Sequence, residues 1–209
     1  MIITALERAR RRGRIDVYVN GRFALALGIA LAQEQGLHAG MEVTEDDLRA
    51  LRQEDERRRA YEAALNLLSY RPRSETELRL RLRRLRFEPP VIDETVGRLK
   101  TLHYLDDAAF AEFWKESRDI VSPRSGRLIR SELLSKGVDP ETATAAIEAL
   151  DDEDAAYRAA RKRLSALAGE SEEVFRRRLS GFLARRGFNY DVVRRTVDRC
   201  RREVEEGLA

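Results

Sequence analysis

Residues 71–99 read RPRSETELRLRLRRLRFEPPVIDETVGRL and contain six spaced apolar residues whose pattern the chain repeats twice. The six residues of this first copy are Leu78, Leu82, Phe87, Ile92, Val96 and Leu99. The second copy, 51 residues later, has Ile129, Leu133, Val138, Ala143, Ile147 and Leu150. The third copy, another 50 residues on, has Leu179, Leu183, Phe188, Val193, Val197 and Cys200. Apolar positions that keep their spacing through three copies indicate an internal repeat.

Each copy has the pattern of two helices joined by a tight turn. In the first copy, Leu78, Leu82 and Leu85 have the spacing of one helix face. Ser74 and Glu77 precede this face with the spacing of a capping box, which marks a helix start. A preceding helix completes each copy, so we predict three helices in about fifty residues.

The turn between the two helices carries a stop signal and a start signal. Gly137 and Gly187 stand where a left-handed residue ends a helix, and the first copy has Arg86 there, at some energetic cost. One aligned residue then precedes the next helix in each copy, and in the second and third copies it is an Asp or an Asn, which are typical helix caps. These residues are Glu88, Asp139 and Asn189.

The N-terminal segment has the alternation of strands. Apolar residues alternate over 15–19 and 23–27, and Asn20-Gly21 between them is a strong hairpin signal. We therefore expect an antiparallel sheet of two or three strands, with a short helix over 29–35.

A long helix is predicted to begin at Thr44, with Asp47 at capping distance. Its charged segment, residues 52–59, is either a solvated helix or a frayed linker. We favour the helix because the segment contains no glycine or proline.

The predicted fold is mainly α, with three tandem three-helix repeats in an elongated, curved array after a small N-terminal antiparallel β-hairpin or sheet. The predicted domains are a β-rich leader with a short helix (1–43), a first repeat with a long first helix (44–104), a second repeat (105–149) and a third repeat (150–209). The third repeat carries about five extra residues, which we place in a loop over 168–172.

Two pairs of acidic residues, Asp106-Asp107 and Asp151-Asp152, open the second and third repeats. Paired carboxylates can bind metals or act in acid–base catalysis. Their recurrence at a helix start instead favours capping of free backbone N–H groups.

Charge, cysteine content and hydropathy argue against a uniformly basic protein, a disulfide-bonded protein and a membrane-spanning protein. The formal net charge of +3 gives no strong uniform field, so nucleic-acid affinity requires local patches. The single cysteine, Cys200, occupies an apolar repeat position and is expected in the core. We find no membrane-spanning run and no secretory signal at the N-terminus, and we expect a cytoplasmic protein.

Catalytic and metal-binding patterns are missing from the sequence. His38 and His103 belong to no metal-ligand pattern, and residues 122–126 lack the glycines and lysine of a phosphate-binding loop. We therefore expect neither enzymatic activity nor a cofactor or metal.

Basic residues recur on the middle helix of each repeat and in the turn before it. This set could form a continuous basic track that approaches DNA, or it could be a solvated face. Its members are Arg71, Arg73, Arg79, Arg83, Arg86, Arg124, Arg127, Arg130, Lys136 and Arg177.

Several segments resemble the RecX regulatory proteins, over about residues 58–200. These segments are ALNLL at 64–68, RPRSETELR at 71–79, LDDAAFA at 105–111 and ELLSKGV at 132–138. His103 stands where the family usually has glycine. The combination is specific, and the third repeat is the loosest match.

The resemblance implies a cytoplasmic modulator of the RecA recombinase, with a role in recombination and the SOS response. Such proteins lodge in the groove of the RecA–single-stranded DNA filament and inhibit its extension, ATPase and strand exchange. The implied partners are the RecA filament and, weakly or indirectly, single-stranded DNA, with no membrane and a monomeric chain. We expect acidic helix starts to face basic protein surface. These are Asp106, Asp107, Asp151 and Asp152.

Two other functions fit three-helix repeats. A helix-turn-helix-like regulator would bind double-stranded DNA with sequence preference, although no predicted helix carries an obvious base-reading cluster. A pure interaction scaffold would bind no nucleic acid at all.

Overall fold

The computed structural model describes residues 1–206, which contain three strands and ten helices. The strands are β1 (Ile3–Arg8), β2 (Arg14–Val19) and β3 (Arg22–Gly28). The helices are α1 (Ile29–Glu34), α2 (Glu45–Tyr70), α3 (Glu75–Arg84), α4 (Pro89–Thr101), α5 (Asp107–Val121), α6 (Gly126–Ser135), α7 (Pro140–Ile147), α8 (Asp152–Leu167), α9 (Glu172–Arg185) and α10 (Tyr190–Glu205). The mainly α fold with a small N-terminal antiparallel sheet is confirmed.

The chain forms two compact units. The first comprises residues 1–70 and 79–101, and the second comprises residues 71–78 and the chain from residue 102 onward.

In the first unit, the strands form an antiparallel sheet in the order β1-β2-β3. Asn20 and Gly21 have φ values of 49° and 79°, as the tight hairpin between β2 and β3 requires. Ile3, Val17 and Leu27 are fully buried and contribute to the core of this unit with residues of α1 and α2.

Helix α2 runs unbroken for 26 residues, so the charged segment 52–59 is helical as predicted. Thr44 and Asp47 form a capping box at its start, with Oγ1 of Thr44 accepting from the backbone N–H of Asp47 at 3.1 Å. The segment is not wholly solvated, however. Asp55 is buried, and its Oδ2 lies 2.8 Å from Nη2 of Arg14.

The six repeated apolar positions are buried in all three copies, except for Ile147 and Leu150, which are half-buried. These two exceptions follow from the length of α7, which has only 8 residues and ends at Ile147. Cys200 is fully buried as predicted, and burial raises the pKa of its thiol to about 11. Leu85 differs from the prediction: it is exposed, because α3 ends at Arg84.

The turn after the middle helix is left-handed in every copy, as predicted. The φ values are 68° at Arg86, 82° at Gly137 and 88° at Gly187. The first copy therefore accepts a strained non-glycine residue at this position.

The extra residues of the third copy do not lengthen a loop, so the placement at 168–172 is wrong. The connections before α6 (122–125) and before α9 (168–171) are equally long. Helix α9 has 14 residues against 10 in α6, and α8 has 16 against 15 in α5. The insertion is absorbed as about one additional helical turn, mainly at the start of α9.

Candidate functional site

The first turn of α3 contacts the second copy, within the second unit, through contacts that we call the first junction. The hydroxyl of Ser74 donates to the carbonyl oxygen of Lys136 at 2.7 Å. The backbone N–H of Glu75 donates to Oδ1 of Asp107 at 2.8 Å. Gly137 approaches so closely that a Cβ there would lie 2.0 Å from Oγ1 of Thr76. The first turn of α3 is thus held by residues of the second copy.

The start of α6 makes equivalent contacts with the third copy, which we call the second junction. The backbone N–H of Ser125 donates to the carbonyl oxygen of Arg186 at 3.0 Å. The N–H of Gly126 donates to Oδ1 of Asp152 at 2.8 Å, as Glu75 does to Asp107. A Cβ at Gly187 would lie 2.5 Å from Oγ of Ser125. The same connection between neighbouring copies therefore occurs twice.

The two aspartates of each acidic pair accept hydrogen bonds from the starts of two different helices. Asp106 and Asp151 cap their own helices, α5 and α8, each accepting from two backbone N–H groups. Asp107 and Asp152 accept from the first N–H of α3 and of α6 in the preceding copy. Capping is confirmed, and the second aspartate of each pair also joins two copies. Asp106 and Asp151 are exposed.

Glu77 connects two residues of the predicted basic set. Its Oε1 accepts from Nζ of Lys136 at 2.7 Å, and its Oε2 lies 2.9 Å from Arg71. Ser74 caps the N–H of Glu77 as predicted, while the Glu77 carboxylate serves these two cations. Lys136 also lies 4.0 Å from the centroid of the Trp114 ring. Arg71 and Lys136 are thus part of the first junction.

Glu132 is a second carboxylate centre. Its Oε2 accepts from Nε1 of Trp114 and from Nε of Arg118, each at 2.8 Å. Its Oε1 accepts from Nη1 of Arg124. Only 15% of the Glu132 side chain is exposed, so these contacts act in a partly desolvated environment. Arg124 of the predicted set is therefore neutralised locally.

Burial raises the pKa of Glu132, but hydrogen bonds from Arg118 and Trp114 outweigh this effect and hold the pKa below its ordinary value of 4.5. Because the folded pKa lies below the unfolded one, the charged contact stabilises the fold above pH 4.5 and disappears as pH falls through the folded pKa. We expect Glu132→Gln to lower the free energy of unfolding by about 2 kcal/mol at pH 7.

This difference from the wild type should shrink below pH 4.5, and chemical unfolding followed at pH 7 and in the acid range measures it. Glu116→Gln is the matched control, because Glu116 is exposed on α5 and makes no ion pair within residues 1–206. A pH-independent loss of stability would show that the charge of Glu132 contributes nothing.

The recurrence of arginine on the middle helices has a structural explanation. Nη1 of Arg79 donates to Oδ1 of Asp93, and Nε of Arg130 donates to Oγ1 of Thr144 at 2.8 Å. Each hydrogen bond joins the middle helix to the third helix of the same copy, at equivalent positions. Arg127 belongs to the second junction, where its Nη2 donates to the carbonyl oxygen of Gly187 at 3.2 Å.

The remaining members of the predicted set vary in exposure. Arg83 and Arg86 are exposed and make no ion pair with any residue in 1–206. Arg177 is exposed and lies 3.7 Å from Glu173, and Arg73 is half-buried. The structure therefore places most of the set in contacts within or between copies, and DNA contact by this set stays a prediction.

Two basic groups were not predicted from the sequence. Arg163 and Arg186 lie over the ring of Phe182 in the second unit, and neither is paired with a carboxylate in the described chain. Arg186 aligns with Lys136, 50 residues earlier, so the repeat contained a signal for it. The second group, residues 10–12, is a run of three arginines exposed in the turn between β1 and β2, where the charge run was visible.

The described part of the chain contains no group of three or more His, Cys, Asp or Glu residues able to hold a metal ion. None of its helices has the length and apolarity needed to cross a membrane.

Comparison with known proteins finds three family models in the order of the copies. Residues 60–99 match the first three-helix domain of RecX, residues 106–147 match the second, and residues 151–197 match the third. The chain is similar to the regulatory protein RecX of Amycolatopsis mediterranei, with 38% identity over 138 residues that cover 65% of this chain and 79% of the relative. It is 27% identical to that of Clostridioides difficile, over 95% of both chains.

Two crystal structures are also similar. RecX from Lactobacillus salivarius superimposes with a TM-score of 0.60 and 26% identity, covering 70% of this chain and 97% of the other. A second regulatory protein RecX gives a TM-score of 0.66 over 94% of this chain and 98% of the other. With 22% identity, the second comparison concerns the fold alone.

Proposed function

Because this chain belongs to the RecX family of regulatory proteins, we propose that it regulates the RecA recombinase without catalysing a reaction itself. It binds the RecA–single-stranded DNA filament in its groove and inhibits filament extension, ATP hydrolysis and strand exchange. It does so in the cytoplasm as a monomer. The predicted domains 1–43, 44–104, 105–149 and 150–209 are the units of this proposal.

The observation that carries the proposal is the junction formed twice. Glu75 bonds to Asp107, and Gly126 bonds to Asp152. In both cases a backbone N–H donates to Oδ1 of the aspartate at 2.8 Å. A chain that repeats one structural unit can offer the same contacts several times to a filament of identical protomers. Weak contacts linked through one chain then reinforce one another.

The filament has two components, single-stranded DNA and the recombinase, and they require different surfaces on this chain. Arg83 and Arg86, which make no ion pair in the described chain, suit the DNA phosphates. Exposed helix caps such as Asp106 and Asp151 suit basic regions of the recombinase. This assignment of faces is part of the proposal.

We expect DNA-dependent ATP hydrolysis by RecA to fall several-fold when this protein is added at up to one molecule per protomer. A steady-state ATPase assay measures the fall. An unchanged rate at stoichiometric amounts would contradict the proposal, and sequence-dependent binding to duplex DNA in place of inhibition would favour a helix-turn-helix-like regulator.

The double variant Arg83→Glu with Arg86→Glu tests the DNA-facing assignment. We expect its half-inhibitory concentration to rise roughly tenfold, since the variant reverses two exposed charges that face the phosphates. The matched control is Arg22→Glu with Arg202→Glu, two exposed arginines that make no ion pair within the described residues. Equal inhibition by both double variants would remove Arg83 and Arg86 from the interface.

A further inference from the structure

We propose that Arg163 and Arg186, together with Phe182, form a binding site for the backbone phosphates of single-stranded nucleic acid. The site deepens the proposed function, on which it rests, by naming where the second unit meets the strand. All three residues lie in copy three, on α8, on α9 and in the turn after α9.

The guanidinium of Arg186 is held by hydrogen bonds, whereas that of Arg163 is accessible to solvent. Nη1 of Arg186 donates to Oγ of Ser122 at 2.6 Å and to the carbonyl oxygen of Pro123 at 3.1 Å. Its Cζ lies 4.4 Å from the centroid of the Phe182 ring, and Cζ of Arg163 lies 5.0 Å from the same centroid. Arg186 is half-buried, while Arg163 is exposed. The two guanidinium groups thus contact the same aromatic ring.

Neither cation has a counter-charge in the described chain. Within residues 1–206, Arg163 and Arg186 make no ion pair, whereas Arg158 on the same helix as Arg163 pairs with both Asp119 and Asp154. Burial lowers the pKa of Arg186, and repulsion from Arg124 and Arg163 lowers it further. Repulsion between like charges in a partly desolvated environment is unfavourable, and a bound anion would relieve it.

The remaining donors suit a phosphate. An arginine has five N–H donors in a planar fork that can bind two oxygens at once, and Arg186 uses only Nη1 for hydrogen bonds to the described chain. Lys162 adds a third cation on α8, with its Nζ 3.2 Å from the carbonyl oxygens of Ile120 and Val121.

Single-stranded nucleic acid is favoured over an acidic protein for two reasons. Arginines that flank an aromatic ring are typical of surfaces that bind single strands. A nucleic-acid strand also carries one phosphate at every nucleotide, so it can supply anions to several neighbouring cations at once.

The test is the binding of a fluorescein-labelled oligothymidylate by the full chain, measured by anisotropy over a range of salt. We expect Arg163→Glu to weaken binding about tenfold at low salt. The slope of log K against log salt should fall by about 0.7 for each phosphate that the variant no longer neutralises. Arg163→Ala should produce a smaller effect of the same sign. Thermal unfolding shows that both variants are folded.

The matched control is Arg161→Glu, which changes the charge equally. Arg161 lies on the same helix, two residues and about 200° around the axis from Arg163. It is exposed and makes no ion pair within residues 1–206. Its variant should bind within about threefold of the wild type.

The site is overturned if Arg163→Glu binds the oligonucleotide no more weakly than Arg161→Glu, or if the wild type does not bind it at all. Loss of RecA inhibition by Arg163→Glu with unchanged DNA binding would assign the site to an acidic protein surface and overturn it also. If the wild type leaves RecA active but Arg163→Glu still loses DNA binding, the proposed function fails while the site stands.

Discussion

Replacing Gly187 by alanine is expected to destabilise the second unit by about 3 kcal/mol. Gly187 is buried and has a φ of 88°, a region that costs an alanine about 1 kcal/mol. A Cβ would also lie 2.5 Å from Oγ of Ser125 and 2.7 Å from Cβ of Leu128, and relieving such overpacking costs about 1–3 kcal/mol. The substitution therefore acts on the second junction. Denaturant unfolding measures the destabilisation.

The control for this variant is Gly181→Ala, in the middle of α9. Gly181 does not have a positive φ, and its Cβ would meet only Nη1 of Arg185, at 3.3 Å. Since this flexible guanidinium can move, alanine should stabilise the helix by about 0.5–1 kcal/mol. Opposite signs for the two alanines are the expected result, and equal effects would show that the junction does not require glycine.

A destabilisation of about 3 kcal/mol is also expected for Asp55→Asn in the first unit, because a buried ion pair loses one partner. Only 8% of the Asp55 side chain and 15% of the Arg14 side chain are exposed, and their charged atoms lie 2.8 Å apart. Oδ1 of Asp55 also accepts from the backbone N–H of Gly28 at 2.8 Å. The amide can keep this bond, but Arg14 is left as a largely buried charge without a carboxylate, which is costly.

Chemical unfolding of Asp55→Asn should be compared with that of Glu62→Gln. Glu62 is exposed on the same helix and makes no ion pair within the described residues, so its variant should change stability by less than about 0.5 kcal/mol. If Asp55→Asn were equally harmless, the pair with Arg14 would contribute little to the first unit.

The sequence predicted the structural features that depend on a few neighbouring residues. Spacing of apolar residues identified the buried positions, and Asn20-Gly21 and Asp106 identified a turn and a cap, because these features are set by a few neighbouring residues. The burial of Asp55 was not predicted, since its partner Arg14 is 41 residues away and nothing in the charge run marks one carboxylate as different.

The candidate site was predicted less well for a related reason. Arginines such as Arg79 and Arg130 stood out because they recur, yet each of them makes a hydrogen bond within its own copy. Arg163 and Arg186 stand out because they contact one aromatic ring together and have no carboxylate partner in the described chain. Such a lack becomes visible only when the surrounding side chains are placed in three dimensions.

The additional turn of α9 changes what copy three presents at the start of its middle helix. At the place of Ser125 the third copy has Phe175, which is buried and whose N–H already donates to the carbonyl oxygen of Ser171 at 2.8 Å. The N-cap of α9 is instead Ser171, four residues before Phe175, and its side chain makes no capping hydrogen bond. The start of the middle helix therefore lies about one turn further from Leu179 than the start of α6 lies from Ile129, so copy three does not offer the contacts of the two junctions at the same place.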